Sequence, residues 1–156
     1  MADVYLTRVG FQKLYDKLEQ LKKNRLKIAD AIEEARLQGD LSENAEYDAA
    51  KEAQAHNAAQ MAELEGVLSG VKFVEDQNIP ADKIYIGATV SLKDLDSGKK
   101  LKYTLLSPEE VDFQENGLSI YSPVGKGLTG LGEGEEVEIE VPVGKLRYKV
   151  LKITRP

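Results

Sequence analysis

The chain has 156 residues, 42% of them hydrophobic and 31% charged, with net charge −6 and pI near 5.0. That suits one ordinary soluble domain or two small ones, and argues against broad, non-specific nucleic-acid binding while leaving room for a local basic patch. It has no cysteine, which excludes a disulfide framework, the usual structural zinc sites and a thiol nucleophile.

The start, Met1-Ala2-Asp3-Val4-Tyr5-Leu6-Thr7-Arg8, lacks a charged-then-apolar signal pattern. No apolar run approaches the roughly 20 residues needed to span a bilayer. The expectation is an unprocessed cytoplasmic protein with no membrane partner. Thr7 is placed to cap a first helix, in which Leu14, Leu18, Leu21, Ile28, Ile32 and Ala35 fall on a heptad seam with Arg25 between Leu21 and Ile28. A second run repeats the alternation through Tyr47, Ala50, Gln54, Asn57, Met61, Leu64, Leu68 and Val71. No proline interrupts either run, and the short connection forces the two helices antiparallel. The seam carries Leu and Met at the base but Ala35, Ala50, Gln54 and Asn57 toward the far end, which predicts a slim tip of modest stability.

The connection, Arg36-Leu37-Gln38-Gly39-Asp40-Leu41-Ser42-Glu43-Asn44-Ala45-Glu46-Tyr47, is the stretch around which the chain is organised. Gly39 can take the left-handed backbone that ends a helix, and Asp40 or Ser42 can cap the next one. Asp40 and Glu43 lie three residues apart at the reversal and can be read in two ways. Asp40-Leu41-Ser42-Glu43 has capping-box spacing, with Asp in place of Ser or Thr. Two carboxylates at the end of a stiff rod also make an acidic probe able to share a metal ion with a site that it reaches. Glu33, Glu34, Glu46, Asp48 and Glu52 read instead as solvated faces or partners of Arg36 and Lys51. The basic run Lys13, Lys17, Lys22, Lys23, Arg25 and Lys27 could hold phosphates or be a solvated face balanced by Asp16 and Glu19. Arg25 could also set the register. His56, the only histidine, has no second ligand nearby in sequence and reads as a surface residue.

Past Val74 the helical period stops. Glu75-Asp76-Gln77-Asn78-Ile79-Pro80 reads as a linker, which divides the chain into 1–76 and 77–156. Alternation then predicts strands over Ile84–Leu92 and Leu101–Leu105, joined through Asp94-Leu95-Asp96-Ser97-Gly98. Further strands are predicted over Leu118–Tyr121, Glu136–Val141 and Leu146–Ile153, the last two forming a hairpin. Ser122-Pro123 starts a short helix, with Ser as cap and Pro at the first position. The fold class is α+β: an antiparallel coiled-coil hairpin with an acidic tip, then a small antiparallel sheet with one helix packed on it. Tyr85, Tyr103, Phe113, Tyr121 and Tyr148 are explained by core packing, so no aromatic-lined cavity for prolyl isomerisation is expected.

Gly39-Asp40-Leu41-Ser42-Glu43-Asn44-Ala45-Glu46-Tyr47 and Ala49-Ala50-Lys51-Glu52, with Leu6-Thr7, Gly10, Leu14, Gly87-Ala88-Thr89-Val90, Ser122-Pro123, Gly125 and Leu128-Thr129-Gly130, resemble the bacterial transcript cleavage factors of the Gre family, GreA type. The resemblance covers nearly the whole chain. It implies an FKBP-like second domain that docks at the rim of the RNA polymerase secondary channel, and a hairpin that passes down the channel. The protein would be no enzyme itself but would stimulate the polymerase to cut the 3′ end of backtracked RNA. The resemblance assigns Asp40 and Glu43 to holding a magnesium ion jointly with the polymerase and orienting the attacking water. It implies transcript or polymerase contacts for Asn44 and Tyr47, and polymerase docking for Ser122, Pro123 and Gly125, residues that could equally just shape the short helix. For Lys17, Lys22 and Arg25 it suggests the extruded RNA as ligand. Two other classes remain: a regulator that occupies the same channel without assisting hydrolysis, and a general binding or chaperone module with the hairpin as a spacer.

Overall fold

The computed structural model describes residues 3–40 and 44–155. It divides into two compact units, one of residues 1–3 and 11–71, the other of residues 4–10 and 72–156.

The first unit is the predicted helical hairpin. Helix α1 runs Arg8–Arg36 and α2 Ala45–Ser69; at about 1.5 Å per residue each is roughly 40 Å long. Asn44 touches Ala35 and Asn57 touches Leu21, so the pair is antiparallel. Leu14, Leu18 and Leu21 of α1 are buried along the seam with Met61 and Leu64 of α2, and Ala35 is buried near the far end. Ile28, Ile32, Tyr47 and Ala50 are half-buried, whereas Gln54, expected on the seam, is exposed. Arg25 is exposed as well, so it is not the polar group that sets the register. That group is Asn57, 6% exposed, whose amide donates to the Leu21 carbonyl at 3.0 Å and lies 3.5 Å from Met61 Sδ. A buried amide on an otherwise apolar seam favours the one register in which it finds a partner.

The second unit opens with strand β1, Val4–Leu6, paired with β2, Val71–Phe73. Val71 was expected on the helical seam but belongs to this strand, α2 having ended at Ser69 with Gly70 closing back on Val67. Residues 75–80, expected as a linker, begin in a 3-10 turn over Val74–Asp76 and lie within the second unit. Their acids are engaged: Glu75 accepts the Arg8 N–H at 2.9 Å, and Asp76 pairs with the Arg8 guanidinium at 2.7 Å. Buried Glu110 accepts both the N–H and the hydroxyl of Thr7, at 2.9 and 2.6 Å. Thr7 Oγ1 in turn caps Gly10 N at 3.0 Å, as its position predicted. Carboxylates therefore gather at the start of α1, where unpaired N–H groups favour negative charge.

The main sheet has five strands in the order β5-β4-β3-β7-β6. They are β3 Thr89–Asp94, β4 Lys100–Leu106, β5 Gly117–Ser119, β6 Glu136–Val141 and β7 Gly144–Thr154. The two predicted hairpins are present, and Gly98 has the left-handed backbone that the first needs, with φ +75°. The expected antiparallel sheet has one addition: β5 pairs parallel with β4, reached by a connection that includes the 3-10 turn Val111–Phe113. The strand expected from Ile84 begins only at Thr89. Ile84 and Ala88 are buried as alternation required, but Gly87, at φ +90°, breaks the backbone between them. In β7 the register shifts between its pairings with Ser91 and Leu92, so Val150 and Ile153 both face inward and Leu151 is exposed. Helix α3, Pro123–Leu128, packs on β6 and β5. A Cβ on Gly127 would lie 2.6 Å from the Ile139 side chain, so only glycine allows that approach. Among the described residues no helix is long and apolar enough to cross a membrane.

Candidate functional site

The hairpin tip is built by the way each helix ends. The Leu37 N–H reaches the Glu33 and Glu34 carbonyls at 3.2 Å, and the Gln38 N–H reaches Ala35 O at 3.1 Å. Gly39 then turns the chain with φ +121°, a backbone that glycine adopts without strain. Asp40 follows, exposed, and Leu37 beside it is 78% exposed. Glu43, with Leu41 and Ser42, lies outside the described residues. The cap of α2 is neither Asp40 nor Ser42, as sequence spacing allowed, but Asn44, whose Oδ1 accepts the Tyr47 N–H at 3.0 Å. The Asn44 amide also donates to Ala35 O at 2.7 Å. Glu46 and Asp48 occupy the first turn of α2, where acids interact favourably with the helix dipole.

Among the described residues no three histidine, aspartate or glutamate side chains converge on a point where they could hold a metal.

The structure separates the basic run into different environments. Lys17 and Arg25 are exposed, whereas Lys22 is half-buried and pairs with Glu19 at 3.3 Å. Arg25 borders a groove of about 500 Å³ with Ile28, Lys51, Gln54 and Asn57. His56 is exposed, as expected of a surface residue.

In the second unit, Ser122 caps α3 as predicted: its hydroxyl donates to Ser119 O at 2.6 Å and accepts the Gly125 N–H at 3.0 Å. Gly125 is buried so tightly that a Cβ there would overlap the Ser119 carbonyl. Pro123 is exposed at the first helical position. Ser122 and Gly125 thus shape this turn, while Pro123 and Tyr121, the latter 65% exposed, form its surface. Contrary to the core role expected for Tyr85 and Tyr121, both line an open cleft of about 670 Å³ with Tyr5, Ile79, Ile120 and Lys126. The strand that would have buried Tyr121 stops at Ser119. Sequence reading missed the cleft because its walls come from three distant segments. The one local signal was a tyrosine beside Ser-Pro, just past a strand end.

Residues 4–72 match the family described as transcription elongation factor, N-terminal, and residues 79–155 that described as transcription elongation factor, GreA/GreB, C-term. The transcription elongation factor GreA of Chloroherpeton thalassium is 49% identical over 155 residues, covering 98% of both chains. That of Chlorobium phaeovibrioides is 47% identical over 156 residues, again covering 98% of both. A crystal structure of GreA factor homolog 1 (Gfh1) of Thermus thermophilus is 27% identical, covering 97% of this chain and 99% of its own, with TM-score 0.46. With identity of this order running through the helical hairpin and the sheet domain alike, the chain belongs to the GreA/GreB family of transcription elongation factors.

Proposed function

We propose that this protein acts in the bacterial cytoplasm on RNA polymerase, entering its secondary channel with the hairpin and stimulating the polymerase's own cleavage of backtracked RNA near the 3′ end. The observation that supports the reading is Asp40, exposed at the end of a two-helix arm whose second helix is capped by Asn44. Glu43 enters the proposal from the tip motif alone.

Magnesium suits such a tip, since it prefers oxygen ligands and is commonly held by one or two carboxylates with its other positions filled from elsewhere. When bound between the tip and polymerase carboxylates, the ion supplies Lewis-acid stabilisation and an activated water. The chain's own contribution is to bring Asp40 and Glu43 up on a narrow support and to orient the water. Asn44 and Tyr47, both half-buried, lie close by in the chain and are proposed to contact the polymerase or transcript through what they leave exposed. On this reading the protein is not a nuclease by itself, and the cleavage is the polymerase's own.

Docking is assigned to the start of α3 and the cleft beside it. Ser122 and Gly125 hold the turn in shape, Pro123 and Tyr121 present apolar surface, and Lys126 adds one positive charge. Lys17 and Arg25, both exposed, are proposed to face the extruded RNA, and Lys22 less so because Glu19 engages it.

The test is to add purified protein to a halted, backtracked polymerase complex with magnesium. A shortened transcript is expected with the wild type and none above background with Asp40→Ala or Glu43→Ala, although both variants still bind. Full cleavage by Asp40→Ala would refute the assigned role, and inhibition without cleavage by the wild type would turn the reading to a channel-occupying regulator.

A further inference from the structure

We propose that Asn44 is a positioning residue for cleavage: its side-chain amide ties the last turn of α1 to the first turn of α2 and so fixes the end of α1 that Gly39 and Asp40 follow. This rests on the reading of Asp40 given above.

Both ends of the amide are engaged inside the hairpin. Nδ2 donates to Ala35 O at 2.7 Å, and Oδ1 accepts the Tyr47 N–H at 3.0 Å. The orientation follows from the partners, since Ala35 offers only an acceptor and Tyr47 only a donor; a flipped amide would satisfy neither. Ala35 O also receives the Gln38 N–H at 3.1 Å. One carbonyl therefore anchors both the final turn of α1 and the cross-link to α2, with Gly39 and Asp40 directly beyond it. Ala35 is only 3% exposed. Its small side chain lets α2 come close enough for a short asparagine to span the gap.

Apolar burial does little at this end of the hairpin. Tyr47 and Ala50 are half-buried, and the large buried side chains of the seam, Leu14, Leu18, Leu21, Met61 and Leu64, lie toward the other end. The facing helix ends need another restraint, and a half-buried amide bonded at both ends supplies one that water competes with poorly. Displacing a reacting group by about 1 Å can cost on the order of 10²-fold in rate. The effect of the bridge on catalysis is thus larger than its effect on folding. Asparagine separates the two functions on two atoms: Asp supplies the accepting oxygen for Tyr47 but no donor, and in Ser or Thr the only donor is the capping hydroxyl itself, on a shorter side chain.

Asn44→Asp keeps an oxygen to cap the Tyr47 N–H and removes the donor to Ala35 O, and Asn44→Ser keeps the capping oxygen but replaces the amide donor with a single hydroxyl on a shorter side chain. In the full-length protein alone, both are expected to retain wild-type helix content while the Gln38 amide exchanges about fivefold faster, the scale of one lost hydrogen bond. In the halted complex the maximal cleavage rate should fall about tenfold, with the half-saturating factor concentration unchanged. Wild-type exchange at Gln38 in both variants would overturn the bridge. A raised half-saturating concentration with an unchanged maximal rate would overturn the positioning role and assign Asn44 to direct partner contact. Should Asp40→Ala cleave at the wild-type rate, the parent reading fails, and exchange at Gln38 in the unbound protein still decides whether the bridge exists.

Discussion

The two units bury their apolar side chains to different depths. The largest side chains that are essentially inaccessible, Leu6, Ile84, Val90, Leu92, Leu105, Leu106, Leu128 and Val150, all belong to the sheet unit. On the hairpin the best-covered leucine, Leu14, remains 3% exposed, and Ile28 and Ile32 are only half-buried. Two helices side by side enclose one seam and leave most of their circumference in water, whereas a sheet covered by a helix encloses an interior. Stability is thus concentrated in one unit, while Asp40 lies at the far end of the other. The polar contacts of Asn57 and Asn44 do on the hairpin what apolar burial does in the sheet.

The comparison can be broken most directly in the sheet core. Leu92→Ala should destabilise the protein by about 3–4 kcal/mol in urea unfolding, and Leu18→Ala on the hairpin seam by about 2 kcal/mol, because the thinner unit can collapse around the gap. Equal costs would show that the seam is as rigidly packed as the core. Gly10→Ala should cost about 2 kcal/mol, since a Cβ there overlaps the Glu110 carboxylate that holds Thr7. Asn57→Ala should cost about 1 kcal/mol through its lost bond to Leu21 O. Asp40→Ala should change stability by less than about 0.5 kcal/mol, as an exposed loop residue, while abolishing cleavage. A large loss of stability there would make Asp40 a structural residue. The smallest effect is one of pH. The Asp94 carboxylate accepts the Asp96 and Ser97 N–H groups, which hold its pKa below the ordinary carboxylate range. A depressed folded-state pKa adds stability above the unfolded value of about 3.9 and loses it as pH falls through the folded value. Asp94→Asn should therefore differ from wild type at pH 7 and converge with it in acid.

Both helices, the start of α1 at Thr7, both sheet hairpins and the Ser122 cap were legible in the sequence because each is signalled by residues within one or two turns of one another. The misreadings arose where distant segments meet. Ile84 and Ala88 alternate like a strand because both face the core, but Gly87 gives that segment a different backbone. Glu75 and Asp76 look like solvated linker acids until Arg8 is found beside them. Tyr85 and Tyr121 have the composition of a core yet line a cleft, since its walls are assembled from residues 5, 77–86 and 120–129. At the tip, several polar residues in a row could each have capped α2, and spacing did not distinguish them.

By itself, the sequence settled the apolar part of the heptad seam, the place of reversal at Gly39 and the identity of the acidic residue that follows it, because helical periodicity and glycine's backbone freedom are local properties. The tertiary structure decided which polar residue closes that reversal. Asn44 caps α2 and reaches Ala35 at once only because the two helices lie close enough for one short side chain to touch both. That separation is set by packing between residues far apart in the chain, which no local pattern encodes.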